Sequence, residues 1–150
     1  HDALPRGAVR STGLLIHTSA GLAVLALLVL RVPWRLFDRP PPRDATRFAT
    51  WTGRAATLTH LVLYGLLLAT PVVGIVLQFA LGRSLPIFGI AEIASPWARD
   101  RAYAIAVKDV HETLANLLMI AAAIHAVAAL AHHWILRDRT LIRMSPFFGR

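Results

Sequence analysis

The stretch HETLANLLMIAAAIHAVAALAHH, from His111 to His133, decides the fold. It belongs to a segment from residue 104 to 136 that is apolar and long enough to cross a bilayer core of about 30 Å as a helix. Three of its histidines, His111, His125 and His132, are separated by multiples of seven residues. Ionisable side chains are costly in hydrocarbon, so their presence in a span indicates a functional site.

The whole composition is that of a membrane protein. Of the 150 residues, 56% are hydrophobic and 16% are charged, and the mean hydropathy is positive. Two further segments, roughly 13–33 and 56–81, are also long enough to span a bilayer. The predicted fold class is therefore all-α, a transmembrane helix bundle forming one domain over residues 1–150. Pro71 and Gly74 predict a kink in the second span.

The sixteen Arg and Lys residues lie mostly between the apolar runs or at their ends. This placement indicates that they are signals of membrane topology, and no nucleic-acid partner is predicted. Ten of them lie in the connector 31–54 and the tail 137–150, so these parts are predicted to be cytoplasmic. The start of the sequence then lies outside, and a further spanning helix is expected before it, giving a four-helix bundle. The connector 31–54 contains RPPPRD and is predicted to be irregular, and the connector 82–101 is predicted to be a structured loop.

Cysteine is absent from the sequence. Disulfides, thiolate metal sites, thiol catalysis and covalent haem attachment through C-x-x-C-H are therefore excluded. A cofactor must be held by histidine, by oxygen ligands or by packing.

Helical geometry gives the histidines a common pattern. Fourteen residues correspond to about 21 Å and nearly four full turns, so His111 and His125 share one face near opposite sides of the membrane. His17 in the first span matches His111 in depth, and two neutral imidazoles facing each other across a bundle are what a bis-histidine haem requires. Small residues near this pair are expected to leave room for a flat macrocycle: Thr18, Ser19, Ala20, Gly21, Thr113, Ala115 and Asn116.

Other histidines have simpler interpretations. His60 matches His125 in depth, so His60 is either an axial partner of His125 or a residue that reaches the headgroups. If His60 reaches the headgroups, the axial partner of His125 is expected on the further helix before this sequence. His133 is interpreted as an interfacial residue, and any single intramembrane histidine also fits an interhelical hydrogen bond. A zinc site is disfavoured because the ligands of zinc must converge on one point.

Three blocks of this sequence resemble the bacterial cytochrome b561 family of the inner membrane. They are LLIHTSAGLAVLALLVLRVPWRL, HLVLYGLLLATPVVGIVLQFALG and VHETLANLLMIAAAIHAVAALAHHWILRDRTLIRMSP. The third block is the most specific, with HETLAN, a second histidine fourteen residues on, then ALAHH and DRTLIRM in order. The likeness is closest to the superoxide:ubiquinone oxidoreductase branch.

This resemblance implies a four-helix, multi-pass cytochrome with two haems b. His17 and His111 would be the axial iron ligands of the outer haem, and His125 would be one ligand of the inner haem. The other inner ligand would belong to the first helix, His132 would lie near a ubiquinone site, and His60 would not be a ligand. The implied function is transfer of single electrons from superoxide at the periplasmic side to ubiquinone at the cytoplasmic side.

Two alternatives stay open. In the first, the cytochrome is a membrane anchor subunit that accepts electrons from a dehydrogenase or hydrogenase. In the second, the chain is a haem-free membrane protein with structural histidines. Four basic residues of the outer face are expected to attract superoxide or bind haem propionates, or else to be ordinary loop charges: Arg83, Arg99, Arg101 and Lys108.

Overall fold

The computed structural model describes residues 6–37 and 49–134. The elements, in chain order, are the helices and strands α1 (Arg6–Phe37), α2 (Ala49–Ala80), β1 (Leu85–Ile87), β2 (Ala91–Ile93) and α3 (Arg101–Trp134). All three helices are long and apolar enough to cross a membrane. The predicted all-α transmembrane bundle is therefore confirmed, and the two short strands form a small hairpin outside the helices.

The helices begin earlier than the apolar runs do. α1 begins at Arg6 instead of near residue 13, and it continues to Phe37; α2 begins at Ala49 instead of 56. The prediction of an irregular connector was thus wrong at both ends of 31–54, while its proline-rich centre lies outside the described residues. Apolar runs mark the hydrocarbon region only, and a helix satisfies its own backbone hydrogen bonds in the polar flanks as well.

α2 packs against both α1 and α3. Few apolar side chains are buried in the described part of the chain: Leu28, Ala80, Leu85, Ala104 and Val107. Many large ones are exposed, among them Leu30, Leu61 and Ile124. An outer surface this apolar is suited to lipid, because lipid tails solvate such side chains as well as a protein core does. The further helix expected before this sequence stays a prediction, as does the single-domain organisation.

The connector between α2 and α3 is folded. β1 and β2 pair antiparallel, with Leu85 opposite Ile93, and the turn between them places Phe88 and Gly89 at positive φ. Two consecutive left-handed residues are what a type I′ hairpin turn needs. A Cβ on Gly89 would lie 3.6 Å from Leu15, so the turn rests on α1. The end of the bundle where α1 begins, α2 ends and α3 begins is called the hairpin end below.

Asp100 joins the two helices that flank the hairpin. Its backbone N–H donates to the Ala80 carbonyl at the end of α2 (3.1 Å), and its Oδ1 accepts from the Tyr103 N–H at the start of α3 (3.0 Å). The second bond caps the helix, because the first N–H groups of a helix have no partner within it. The hairpin end is thus tied to α2 and α3, two of the three helices that contribute to the site described next.

Candidate functional site: a histidine pair beside an apolar cavity

His17 on α1 and His111 on α3 lie opposite each other near the hairpin end. Their ring centres are 6.1 Å apart and the ring planes are nearly perpendicular, at 87°. A bis-imidazole iron requires ring centres about 6 Å apart, because each metal–nitrogen bond is about 2 Å long and each nitrogen lies roughly 1 Å from its ring centre. The pair that was predicted from depth alone is brought together at a spacing that suits haem iron.

The orientation of His111 is set by α2. Its Nδ1 lies 3.1 Å from the Thr70 carbonyl oxygen, which can only accept, so Nδ1 is the protonated nitrogen and donates. Nε2 is then left with its lone pair free for a metal. Histidines that bind metals commonly donate their second ring N–H to a carbonyl in this way, which fixes both tautomer and ring orientation.

Gly74 makes the close approach of His111 to α2 possible. A Cβ at this position would lie 3.0 Å from Cε1 of the His111 ring, tighter than ordinary van der Waals contact. The sequence predicts only a kink at Gly74. It also predicts that Thr113, Ala115 and Asn116 on α3 leave room for the macrocycle, but none of the three is among the residues that line the cavity described next.

A cavity of about 380 Å³ opens beside the pair. Its walls come mainly from α1 and α2, and both His17 and His111 line it. The expectation about small residues holds here for Thr18, Ala20 and Gly21, which also line it. The Thr70 hydroxyl is buried and has no hydrogen-bond partner among the described residues, so this wall retains one polar group for a bound molecule.

The residues of this site fit a haem. Two imidazoles stand at iron spacing, one of them with its metal-binding nitrogen selected, and the adjoining cavity is lined largely by apolar side chains. Such an environment suits a flat macrocycle, since ligand pockets are mostly apolar with a few placed polar groups. Among the described residues, no group of three or more His, Asp or Glu side chains converges as a conventional metal site would require.

A second histidine contact lies toward the other end of the bundle. The ring centres of His60 on α2 and His125 on α3 are 5.3 Å apart, with the ring planes at 64°. Close by along α2, the Tyr64 hydroxyl accepts a hydrogen bond of 3.2 Å from Nε of Arg31. Nothing in the sequence indicates this Arg31–Tyr64 bond, because periodicity within each helix does not report which helices are neighbours.

The remaining predicted residues are placed separately. His132 lies on α3, but its side chain falls outside the described part, as does that of His133. Lys108 forms an ion pair of 2.5 Å with Glu112 one turn further along α3. Arg99 contacts the α2 terminus at Gly82, and Arg101 is the exposed first residue of α3. Of the four basic residues of the outer face, only Arg83 lines the cavity described above.

Comparison with known proteins identifies the family of this chain. A family model described as prokaryotic cytochrome b561 matches residues 1–147. A protein named "Probable superoxide oxidase CybB" from Yersinia pestis is 35% identical over 134 residues, which cover 88% of this chain and 74% of that protein. Cytochrome b561 homolog 1 of Escherichia coli (strain K12) is 37% identical over 152 aligned positions, with 95% and 80% covered.

A further relative, cytochrome b561 homolog 2 of the same Escherichia coli strain, is 34% identical over 129 residues, covering 86% of this chain and 68% of its own length. The family match extends over nearly the whole chain, including all three helices and the hairpin. The chain therefore belongs to the prokaryotic cytochrome b561 family.

Proposed function

We propose that this chain transfers single electrons across the bacterial inner membrane, from superoxide at the hairpin end to ubiquinone at the opposite end. Its family is one of multi-pass membrane cytochromes for electron transfer, and the family implies haem b as the cofactor. The observation that carries the proposal is the His17–His111 pair, with ring centres 6.1 Å apart. The name of the Yersinia pestis relative supports superoxide as the electron donor.

His17 and His111 are the proposed axial ligands at the hairpin end. When bound between them, haem b supplies reversible one-electron chemistry at its iron. The Thr70 carbonyl keeps the His111 ring in one tautomer, and the apolar side chains of α1 and α2 exclude water from the cavity. Loss of such an outer partner of a ligand typically weakens metal binding about 10–100-fold.

His125 is the proposed ligand of a second haem, about 21 Å further along α3 by helical rise. The distance of 5.3 Å between the His60 and His125 ring centres is shorter than the roughly 6 Å that an iron between two imidazoles needs. This favours direct contact between the rings of His60 and His125. His60 is therefore left out of the proposed ligand set.

The quinone end is assigned to His132, by resemblance. The overall reaction oxidises two superoxide anions to two molecules of dioxygen, and their two electrons, with two protons, reduce one ubiquinone to ubiquinol. An imidazole has a proton affinity suited to passing a proton to a reduced quinone at neutral pH. No other catalytic side chain is needed, since electron transfer requires only positioned redox groups.

An absorption spectrum of the purified protein tests the haem assignment. We expect a Soret band that shifts on reduction with dithionite, because bis-histidine haem is low-spin and redox-active. A spectrum with no Soret band, or with one that dithionite leaves unchanged, would support the haem-free alternative.

The substrate assignment needs a separate measurement. In vesicles that contain the protein and ubiquinone, we expect ubiquinol to form faster when superoxide is generated outside. Protein-free vesicles and added superoxide dismutase are the controls, and both should abolish the acceleration. A protein that contains reducible haem but shows no acceleration would instead support the anchor-subunit alternative, in which a dehydrogenase or hydrogenase donates the electrons.

A further inference from the structure

The end of α2 fixes the backbone of Arg83. The Gly82 N–H donates to the Phe79 carbonyl (2.8 Å), and the Arg83 N–H donates to the Gln78 carbonyl (3.1 Å). Together with the positive φ of Gly82 (66°), these bonds form a Schellman motif, the turn that commonly ends a helix at glycine. Arg83 is thus folded back beside Gln78, whose side chain also lines the cavity, instead of continuing away from the helix.

Arg83 belongs to the same cavity as the histidine pair. Gln78 is one helical turn, about 6 Å, beyond Gly74 toward the hairpin end, and Gly74 is the residue against which the His111 ring lies. Arg83 is bonded to the Gln78 carbonyl and lines the same cavity as both imidazoles. It is the one Arg, Lys, Asp or Glu among the described residues that line this cavity.

The guanidinium of Arg83 has no hydrogen bond or ion pair with another described residue, whereas two other polar side chains of the cavity lining already have partners. The Gln78 side-chain amide donates to the Ser84 carbonyl (3.0 Å), and Nδ1 of His111 donates to Thr70. Arg83 also follows the last turn of α2, where a cation interacts favourably with the helix dipole. That role does not require the residue to line a cavity. Arg83, an exposed residue of the cavity lining, therefore has guanidinium donors that no described residue uses.

We infer that Arg83 binds a propionate carboxylate of the haem held by His17 and His111. This inference rests on the proposed function and names the residue that anchors the polar edge of the cofactor. Guanidinium groups match carboxylates with two parallel hydrogen bonds, which gives strength and a defined orientation. The propionates would then point to the hairpin end, and the apolar part of the macrocycle would lie among the apolar side chains of α1 and α2.

The midpoint potential of this haem tests the inference. A cation close to the haem stabilises the reduced form, which has one more negative charge than the oxidised form, so Arg83→Gln should lower the potential. Arg101→Gln removes the same charge from another exposed residue, one that does not line the cavity, and should leave the potential unchanged. Arg83→Lys should give an intermediate potential, because it keeps the charge but not the paired hydrogen bonds.

Haem dimethyl ester, whose propionates are esterified and uncharged, identifies the group that Arg83 contacts. After reconstitution with the ester, we expect the difference in potential between the wild-type and Arg83→Gln proteins to be smaller than with ordinary haem, because esterification removes the carboxylate that Arg83 binds. A difference of the same size with the ester as with ordinary haem would overturn the inference, since Arg83 would then act on the iron only as a charge through space. Equal potentials with ordinary haem would also overturn it.

The Arg83→Lys variant keeps the inference testable if Arg83→Gln causes a folding defect. If Arg83→Gln does not retain haem at all, Arg83→Lys provides the comparison with the wild type, and its potential must fall below the wild-type value by more with haem than with the ester. The proposed function fails separately: it fails if the wild-type protein contains no haem between His17 and His111, whereas the inference fails if that haem is present and does not respond to Arg83.

Discussion

Replacing His111 by alanine is expected to remove one low-spin haem and leave the other, which would halve the haem-to-protein ratio of a two-haem cytochrome. The imidazole is the proposed axial ligand on α3, and the methyl group of alanine offers no lone pair to iron. His17→Ala should remove the same haem, because the ring centres of the two residues lie 6.1 Å apart on opposite helices. The measurement is haem content per protein together with the reduced-minus-oxidised spectrum.

Thr113→Ala is the matched control for this pair of variants. Thr113 lies on α3 close to His111, but it is exposed and its hydroxyl donates to the Asp109 carbonyl of its own helix (2.8 Å). Its substitution should leave haem content unchanged. Retention of both haems in His17→Ala or His111→Ala would contradict the ligand assignment, and loss in Thr113→Ala would indicate a general sensitivity of α3 instead.

Gly74→Val is expected to remove the same haem although neither proposed ligand is substituted. A Cβ at residue 74 alone would approach Cε1 of His111 to 3.0 Å, and the two γ-methyl groups of valine need still more space. Overpacking of this kind commonly costs about 1–3 kcal/mol, and here the least costly response is for the His111 ring to turn away from α2. That movement would break the hydrogen bond to Thr70 and misdirect Nε2.

Gly65→Val provides the control on the same helix. A Cβ at Gly65 meets nothing within 4 Å, so the substitution should be tolerated with full haem content. The two variants share the change in residue type and in helix propensity, and they differ only in what the new side chain meets. Equal haem content in the two variants would show that the Gly74 contact does not position His111.

Much of the fold follows from simple sequence patterns. The three spans are apparent from their apolar runs, because any spanning helix must be apolar over about 20 residues. The helix ends are not, and α1 and α2 extend well into flanks that looked irregular, since polar residues do not interrupt a helix outside the hydrocarbon. The hairpin between α2 and α3 was anticipated only as a structured loop, because its strands of three residues are too short for a periodic pattern.

The histidine pair of the candidate site could be predicted from the sequence, but the residues that support it could not. The pairing of His17 with His111 follows from their equal depth, and an axial partnership of His60 with His125 was one of two alternatives drawn from the same argument. The supporting residues were missed or interpreted differently. Gly74 looked like a helix kink, the Thr70 carbonyl has no sequence signature, and Arg83 was one of four basic residues that the sequence did not distinguish.

By itself, the sequence determined the positions of the histidines along the membrane normal. Helical rise is constant and the hydrocarbon has a fixed thickness, so residue number converts directly to depth. The tertiary structure alone decided which sides of the helices meet, because rotation and helix–helix approach depend on several chain segments at once. It turns the His111 ring onto Gly74, uses the Thr70 carbonyl to select the free nitrogen, and folds Arg83 back over the cavity.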